Sequence, residues 1–264
     1  MTVRYETDGP VATVTIDRQE RANSVDRETS DALVQAFERF DADETLNVAI
    51  LTGAGKNFCA GGDLKAMRDG IGIVVTVDGN APLGPGRMEL SKPVIAAVEG
   101  NAVAGGLELA LWCDLRVAAR DATFGVYCRR WGIPLCDGGT VRLPRLIGQS
   151  HALDMILTGR GVSGEEAYRM GLANRLCEPG EALSAARNLA ETLARLPQGC
   201  MRSDRRSSLE QWTMPLQEAL RNETERGLAV ISSGETVSGL GRWASKEWSY
   251  EEFREDAGGK RQES

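Results

Sequence analysis

Two short segments of this chain share a design able to do chemistry. Phe58-Cys59-Ala60-Gly61-Gly62-Asp63-Leu64 and Gly100-Asn101-Ala102-Val103-Ala104-Gly105-Gly106-Leu107-Glu108 each follow an apolar stretch and run into a helical pattern. Their small residues let a ligand come close to the backbone. Free N–H groups at a helix start can hold an anion or a developing oxyanion. Facing each other, the two loops could supply two N–H donors to one carbonyl oxygen. The same composition also describes plain turns, so on these residues alone both readings stand. Neither loop is a phosphate cradle: Gly53-Ala54-Gly55-Lys56 runs into Asn57 rather than Ser or Thr, and no GxGxxG follows a strand.

The side chains available for acid–base work are restricted. The chain of 264 residues holds one histidine, His151. That excludes metal sites built from several histidines and leaves a Ser-His-Asp hydrolase a single possible base. Proton transfer therefore falls to carboxylates, or to Lys, Tyr or Cys. The six cysteines (Cys59, Cys113, Cys128, Cys136, Cys177 and Cys200) form no CxxC pair, so zinc ribbons and thioredoxin-like sites have no support. Lys and Arg number 31 against 38 Asp and Glu, a net charge of −7, which argues against nucleic acid and anionic membranes as partners. Met1–Thr15 lacks the basic start and apolar run of a signal peptide, and no apolar run approaches the ~18 residues of a membrane span. The expectation is a reduced, cytoplasmic protein.

The elements that must position the two loops are legible as periodicities. Val11–Ile16, Asn47–Thr52, Pro93–Val98 and Leu115–Ala119 read as strands. Asp26–Phe40 carries Leu33, Val34, Phe37 and Phe40 at helical spacing; helices are also expected from Leu64 and over Leu107–Cys113. Asn101–Gly106 reads as a loop. Strand, small-residue loop and helix thus occur twice, which implies an α/β architecture of repeated ββα-like units. Residues 69–87, rich in Gly, Pro and Asp, read as a surface insertion. Ser163-Gly164-Glu165-Glu166 is a capping box, and Gly171 sits where a helix should end. Ala182–Leu196 reads as helical, Pro197–Arg206 as a break, and the chain beyond Ser208 as mostly helical, with Trp212, Leu216, Leu220, Leu228 and Trp243. These patterns suggest an α/β core over 1–200 and a helical region over 201–264, with Gly258–Ser264 disordered.

At this point the chain resembles a known family, the crotonase superfamily of enoyl-CoA hydratases and isomerases. The resemblance runs from VATVTIDRQERAN at 11–23 through NVAILTGAGKNFCAGGDL at 47–64 and KPVIAAVEGNAVAGGLELALWCDLRVA at 92–118. It continues in FG at 124–125, GGTVRLPRLIG at 138–148 and LTGRGVSGEEAYRMGLANRL at 157–176. It implies a spiral of ββα units with a C-terminal helical region, trimers or dimers of trimers, and acyl-CoA thioesters as substrates. No cofactor or metal is implied, since CoA belongs to the substrate. Two backbone N–H groups would polarise the thioester carbonyl and stabilise an enolate; by motif they fall on Ala60 and Gly105. Gly61, Gly62, Asp63 and Leu64 would line the same loop's substrate side.

Hydratases of this family use two glutamates. The first maps to Glu108. The second lies in a segment that usually reads FGxPE and here reads Phe124-Gly125-Val126-Tyr127-Cys128, so Cys128 replaces it. Asp137, in a loop where the family commonly has a small residue, is the candidate replacement, giving an acid–base pair of Glu108 and Asp137. Plainer roles stand beside these: Glu108 favouring a helix dipole, Asp137 capping a turn, Cys128 and Tyr127 packing a pocket. His151 reads as a surface residue near a helix start. Arg18, Arg21, Lys56, Lys65 and Arg68 lie near the motifs and are candidates for CoA phosphates, or for a solvated surface. The expected reaction is hydration of a 2-enoyl-CoA, with isomerisation as the alternative. A third possibility is a catalytically impaired acyl-CoA-binding protein.

Overall fold

The computed structural model describes residues 1–245; the tail Gly258–Ser264 lies outside them. The chain divides into two units, Met1–Glu191 and Thr192–Ser264. The first holds nine strands: β1 (Val3–Asp8), β2 (Val11–Ile16), β3 (Val48–Gly53), β4 (Val94–Val98), β5 (Asn101–Val103), β6 (Leu115–Ala119), β7 (Thr123–Gly125), β8 (Gly161–Ser163) and β9 (Arg175–Cys177). Six form one sheet in the order β1-β2-β3-β4-β6-β9, parallel except for the β1–β2 hairpin. The other three form a small sheet, β5-β7-β8. Every residue of β2 and β4 is buried, as strands covered on both faces require.

The helices of this unit are α1 (Arg27–Ala42), α2 (Leu64–Arg68), α3 (Gly105–Trp112), α4 (Gly139–Thr158) and α5 (Gly164–Arg169); α6 (Ala182–Arg195) begins in it and ends past its last residue, Glu191. The Asp26 carboxylate caps α1, accepting from Thr29 N at 2.9 Å, and Leu33, Val34, Phe37 and Phe40 are buried beneath it. α4 is two helical segments meeting at Gly148, and His151 is exposed just beyond the kink. Ser163 caps α5, but the Glu166 carboxylate turns to Arg160 (2.7 Å), so only half of the capping box forms.

Parallel pairing of β3 with β4 sets the two small-residue loops side by side. They are zipped together: Cys59 N donates to Asn101 O at 2.9 Å, and Val103 N donates to Cys59 O at 3.1 Å. A Cβ on Gly106 would overlap the Cys59 carbonyl, so this approach requires glycine. At the far end of α3, the fully buried Arg116 donates to the carbonyls of Cys113 (2.7 Å), Ala110 (3.2 Å) and Leu172 (2.6 Å). It thereby closes the end of the helix whose start faces the loops.

One strand lies outside the sequence expectations, and three expectations are corrected. Val3–Asp8 is a strand; its sequence VRYETD has little apolar character because it forms the sheet edge. Asn101–Val103 is a three-residue strand rather than loop, too short to show a period. Residues 69–80 are largely exposed, but residues 81–86 are buried, so the Gly/Pro-rich stretch is only half surface. Pro197–Arg206 is no break: in the second unit α7 (Gln198–Glu210) starts directly after Pro197, where a helix tolerates proline. That unit continues with α8 (Leu216–Ser232) and α9 (Glu235–Ala244), and the Glu235 carboxylate caps α7 through Gly199 N (3.0 Å) and Cys200 N (2.6 Å).

Replacing Arg116 with Met should leave three or more carbonyls without their donor in a buried site. A loss of about 3 kcal/mol or more in urea-unfolding stability is expected, with an unchanged m-value.

Candidate active site

The two loops open onto a cavity of about 400 Å3, lined mainly by apolar side chains including Leu64, Met67, Ile73, Leu83, Trp131 and Ile133. Its polar groups are few: Glu108, Asp137, Tyr127, Cys128 and Cys136, with no Lys, Arg or His in the lining among the described residues. Glu108 projects from the first turn of α3 and is 2% exposed. Its Oε1 accepts from Asp137 N (2.9 Å) and Gly139 N (2.8 Å). Gly138 (φ +96°) bends the loop back so that both N–H groups converge. A Cβ on Gly139 would come 2.9 Å from Glu108 Oε1. Asp137 is 3% exposed, and its Oδ1 accepts from Leu83 N at 2.8 Å.

Burial is the main force on both carboxyls. It pushes Glu108 up to about 7; the neighbouring Asp137 adds to the rise, and the backbone N–H groups of Gly139, Asp137 and Cys136 only moderate it. Burial also raises Asp137, against the hydrogen bond from Leu83 N and the charges of Arg87 and Arg142. A carboxyl titrating near neutrality can both take and return a proton. Cys128 is buried beside Glu108, and burial together with that carboxylate raises its thiol pKa. Cys128 is thus a protonated, poorly nucleophilic wall residue. The Tyr127 ring packs at Gly125 and Gly161 with the Arg130 guanidinium 4.1 Å from its centroid, which fits a packing role.

The backbone donors differ from the expected pair. Ala60 N donates to Ala22 O at 3.1 Å and is therefore occupied. Gly61 N donates to Cys59 Sγ at 3.3 Å. Gly62 N and Gly105 N donate to no acceptor among the described residues, and both residues line the cavity. Gly61 (φ +91°) brings the loops together: a Cβ there would lie 2.9 Å from Gly105 N. Ala104, at φ +55° and ψ −126°, is held in a strained conformation immediately before Gly105.

Of the expected lining residues, Ala60, Gly62, Leu64, Gly105 and Cys128 face the cavity; Gly61 and Asp63 do not. Asp63 instead caps α2 through Lys65 N (3.0 Å) and Ala66 N (3.1 Å) and pairs with Arg18 at 3.0 Å. Burial opposes its ionisation, but these donors hold it below the usual carboxylate range. Arg18 is committed to Asp63, Asp26 and the Ser24 carbonyl. Lys56 borders a separate polar cleft, and Arg68 pairs with Asp69. Sequence reasoning missed Gly62 N as a donor, Leu83 and Arg142. The buried run Ala81-Pro82-Leu83 inside a Gly/Pro-rich stretch was the one available signal.

The family model described as enoyl-CoA hydratase/isomerase matches residues 6–252. The chain belongs to the enoyl-CoA hydratase/isomerase family. Among its relatives, enoyl-CoA hydratase EchA19 of Mycobacterium tuberculosis is 37% identical over 245 residues, covering 90% of this chain and 91% of the relative. Carnitinyl-CoA dehydratase of Salmonella arizonae is 42% identical over 199 residues, covering 72% and 74%. The crystal structure of enoyl-CoA hydratase EchA1 from Mycobacterium marinum superposes with a TM-score of 0.87 at 40% identity, covering 93% of this chain and 96% of that one. The architecture is the crotonase fold, α/β with a helical C-terminal region.

The raised Glu108 pKa makes a stability prediction. Its folded-state value lies above the unfolded one, so wild-type stability falls as pH rises from about 4.5 to about 7. Glu108→Gln should therefore melt higher than wild type at pH 8, and the difference should shrink towards pH 5. Equal melting differences at both values in thermal unfolding scans would refute the assignment.

Proposed function

We propose that this member of the family is an acyl-CoA enzyme that forms an enolate, with hydration of a 2-enoyl-CoA as its reaction. The observation that carries this reading is a neutral-range carboxyl, Glu108, on the first turn of a helix whose Gly105 N–H is unspent, beside a second unspent N–H at Gly62. The thioester oxygen binds these two donors. Water adds at C3 as the Cα=Cβ electron pair moves to the carbonyl oxygen, and Glu108 takes the water proton. A proton returned to C2 collapses the enolate. Glu108 or Asp137 supplies it, Asp137 through Oδ2, since Oδ1 is held by Leu83 N. Two preorganised N–H donors in a water-poor site are worth about 2.7–4 kcal/mol each in the transition state. The apolar lining suits an uncharged acyl group.

One observation favours isomerisation as the second reading. Cys128 stands where the second glutamate is expected, and moving a double bond needs only one base that removes and returns a proton. The carnitinyl-CoA dehydratase and enoyl-CoA hydratase names of the relatives both favour addition or loss of water.

The second unit carries apolar side chains in the open: Leu216, Leu220 and Leu228 on α8, Val237, Leu240 and Trp243 on α9. We assign this face to contacts between copies of the chain, in a trimer or a dimer of trimers. Among the described residues no helix is long and apolar enough to cross a membrane. The free thiols suit a reducing cytoplasm.

With crotonyl-CoA and a short panel of 2-enoyl-CoA esters, double-bond absorbance should fall and 3-hydroxyacyl-CoA should form. Glu108→Gln should lower kcat by about 10²–10⁴-fold with KM little changed, and Asp137→Asn by at least about 10-fold. Full turnover by Asp137→Asn would remove that residue from the chemistry. A shifted double bond without hydroxyacyl product would establish isomerisation.

A further inference from the structure

We propose that Arg142 is a positioning residue for the reaction, clamping the Asp137 loop to the buried strap 81–86 and so fixing where both carboxylates sit. The inference rests on the reading that Glu108 and Asp137 transfer protons. Arg142 Nη1 donates to Asp137 O at 2.9 Å, and Nη2 donates to Gly86 O at 2.7 Å. The Asp137 residue is thus held on three sides. Its N–H donates to Glu108, its carbonyl accepts from Arg142, and its carboxylate accepts from Leu83 N. Both carboxylates draw their hydrogen bonds from the two segments the guanidinium joins.

The surroundings are shaped for this fork. A Cβ on Gly138 would overlap Nη1, so the loop carries glycine where the guanidinium passes. A Cβ on Gly86 would lie 2.9 Å from Ala81 Cβ and 3.2 Å from Asp137 O. A planar group with donors on two nitrogens spans two carbonyls at once; an ammonium reaches one. Arg142 is half-buried and faces Glu108, Asp137, Cys113 and Arg145. Glu108 is faced also by Cys128 and Cys136, and Asp137 by Arg87. Arg87 itself holds the carbonyls of Thr76, Gly79 and Asn80, whereas Arg142 bridges the catalytic loop to the strap. Its charge also favours the ionised form of both carboxyls.

The test compares Arg142→Gln and Arg142→Lys in the full-length protein by pH–rate profile and by carboxyl 13C NMR of labelled Glu and Asp. Glu108→Gln and Asp137→Asn assign the resonances. For Arg142→Gln we expect kcat to fall roughly 10²-fold with KM within a few-fold. The limbs of the profile and the Glu108 and Asp137 resonances should titrate higher than in wild type. Arg142→Lys keeps the charge and loses half the fork, so its profile should stay at the wild-type position with a smaller loss of kcat. It also serves if the Gln variant fails to fold: a Lys profile displaced as a whole would overturn the proposal. Wild-type profiles and titrations in both variants, with or without lower melting temperatures, would reduce Arg142 to a structural residue. If wild type turns over no enoyl-CoA but the Glu108 resonance still moves in Arg142→Gln, the functional reading fails while the clamp stands.

Discussion

The site depends on keeping a carboxyl group in a wall that water hardly reaches. Glu108 is 2% exposed, and a carboxylate there loses solvation that neighbouring backbone N–H groups only partly replace. Supplying those N–H groups dictates much else. The chain must fold back at Gly138, Gly139 must lack a side chain, and the loop must be held in place. Leu83 N and the Arg142 fork do the holding. The 81–86 strap can serve as their anchor because it is buried. The incomplete compensation is useful, because it leaves Glu108 titrating at about 7, where it can exchange protons at physiological pH.

The same economy governs the backbone donors. An N–H is free for a substrate only if the fold leaves it unspent, and in the first loop the hydrogen bonds decide which one that is. Ala60 N is consumed by Ala22 O and Gly61 N by Cys59 Sγ, which leaves Gly62. In the second loop the helix start leaves Gly105 N free by geometry. Strain at Ala104 and close glycine contacts at Gly61 and Gly106 are the cost of bringing the two donors onto one cavity.

This explains what the sequence could and could not convey. Buried strands such as Val94–Val98 and the amphipathic α1 were legible because their periods are set by burial. The edge strand Val3–Asp8 and the three-residue β5 were not, since one is half polar and the other shorter than any period. Glu108 was legible from its motif. Gly62 was not, because motif spacing locates a loop but not which of its amides the turn consumes. Asp63 looked like a site residue yet serves α2 and Arg18, since a carboxylate before a helix start finds two donors there regardless of function. Asp137 could be singled out as an unusual carboxylate, but its link to Leu83 needs the tertiary fold.

Enolate formation at Glu108 is the central claim, and α-proton exchange tests it apart from any later step. A saturated acyl-CoA such as butyryl-CoA is incubated with the protein in D2O, and deuterium at C2 is followed by NMR or mass spectrometry. The account predicts exchange catalysed by wild type and at least about 10²-fold slower exchange with Glu108→Gln. Exchange at the same rate in both proteins, or none in a wild type that binds the thioester, would contradict it.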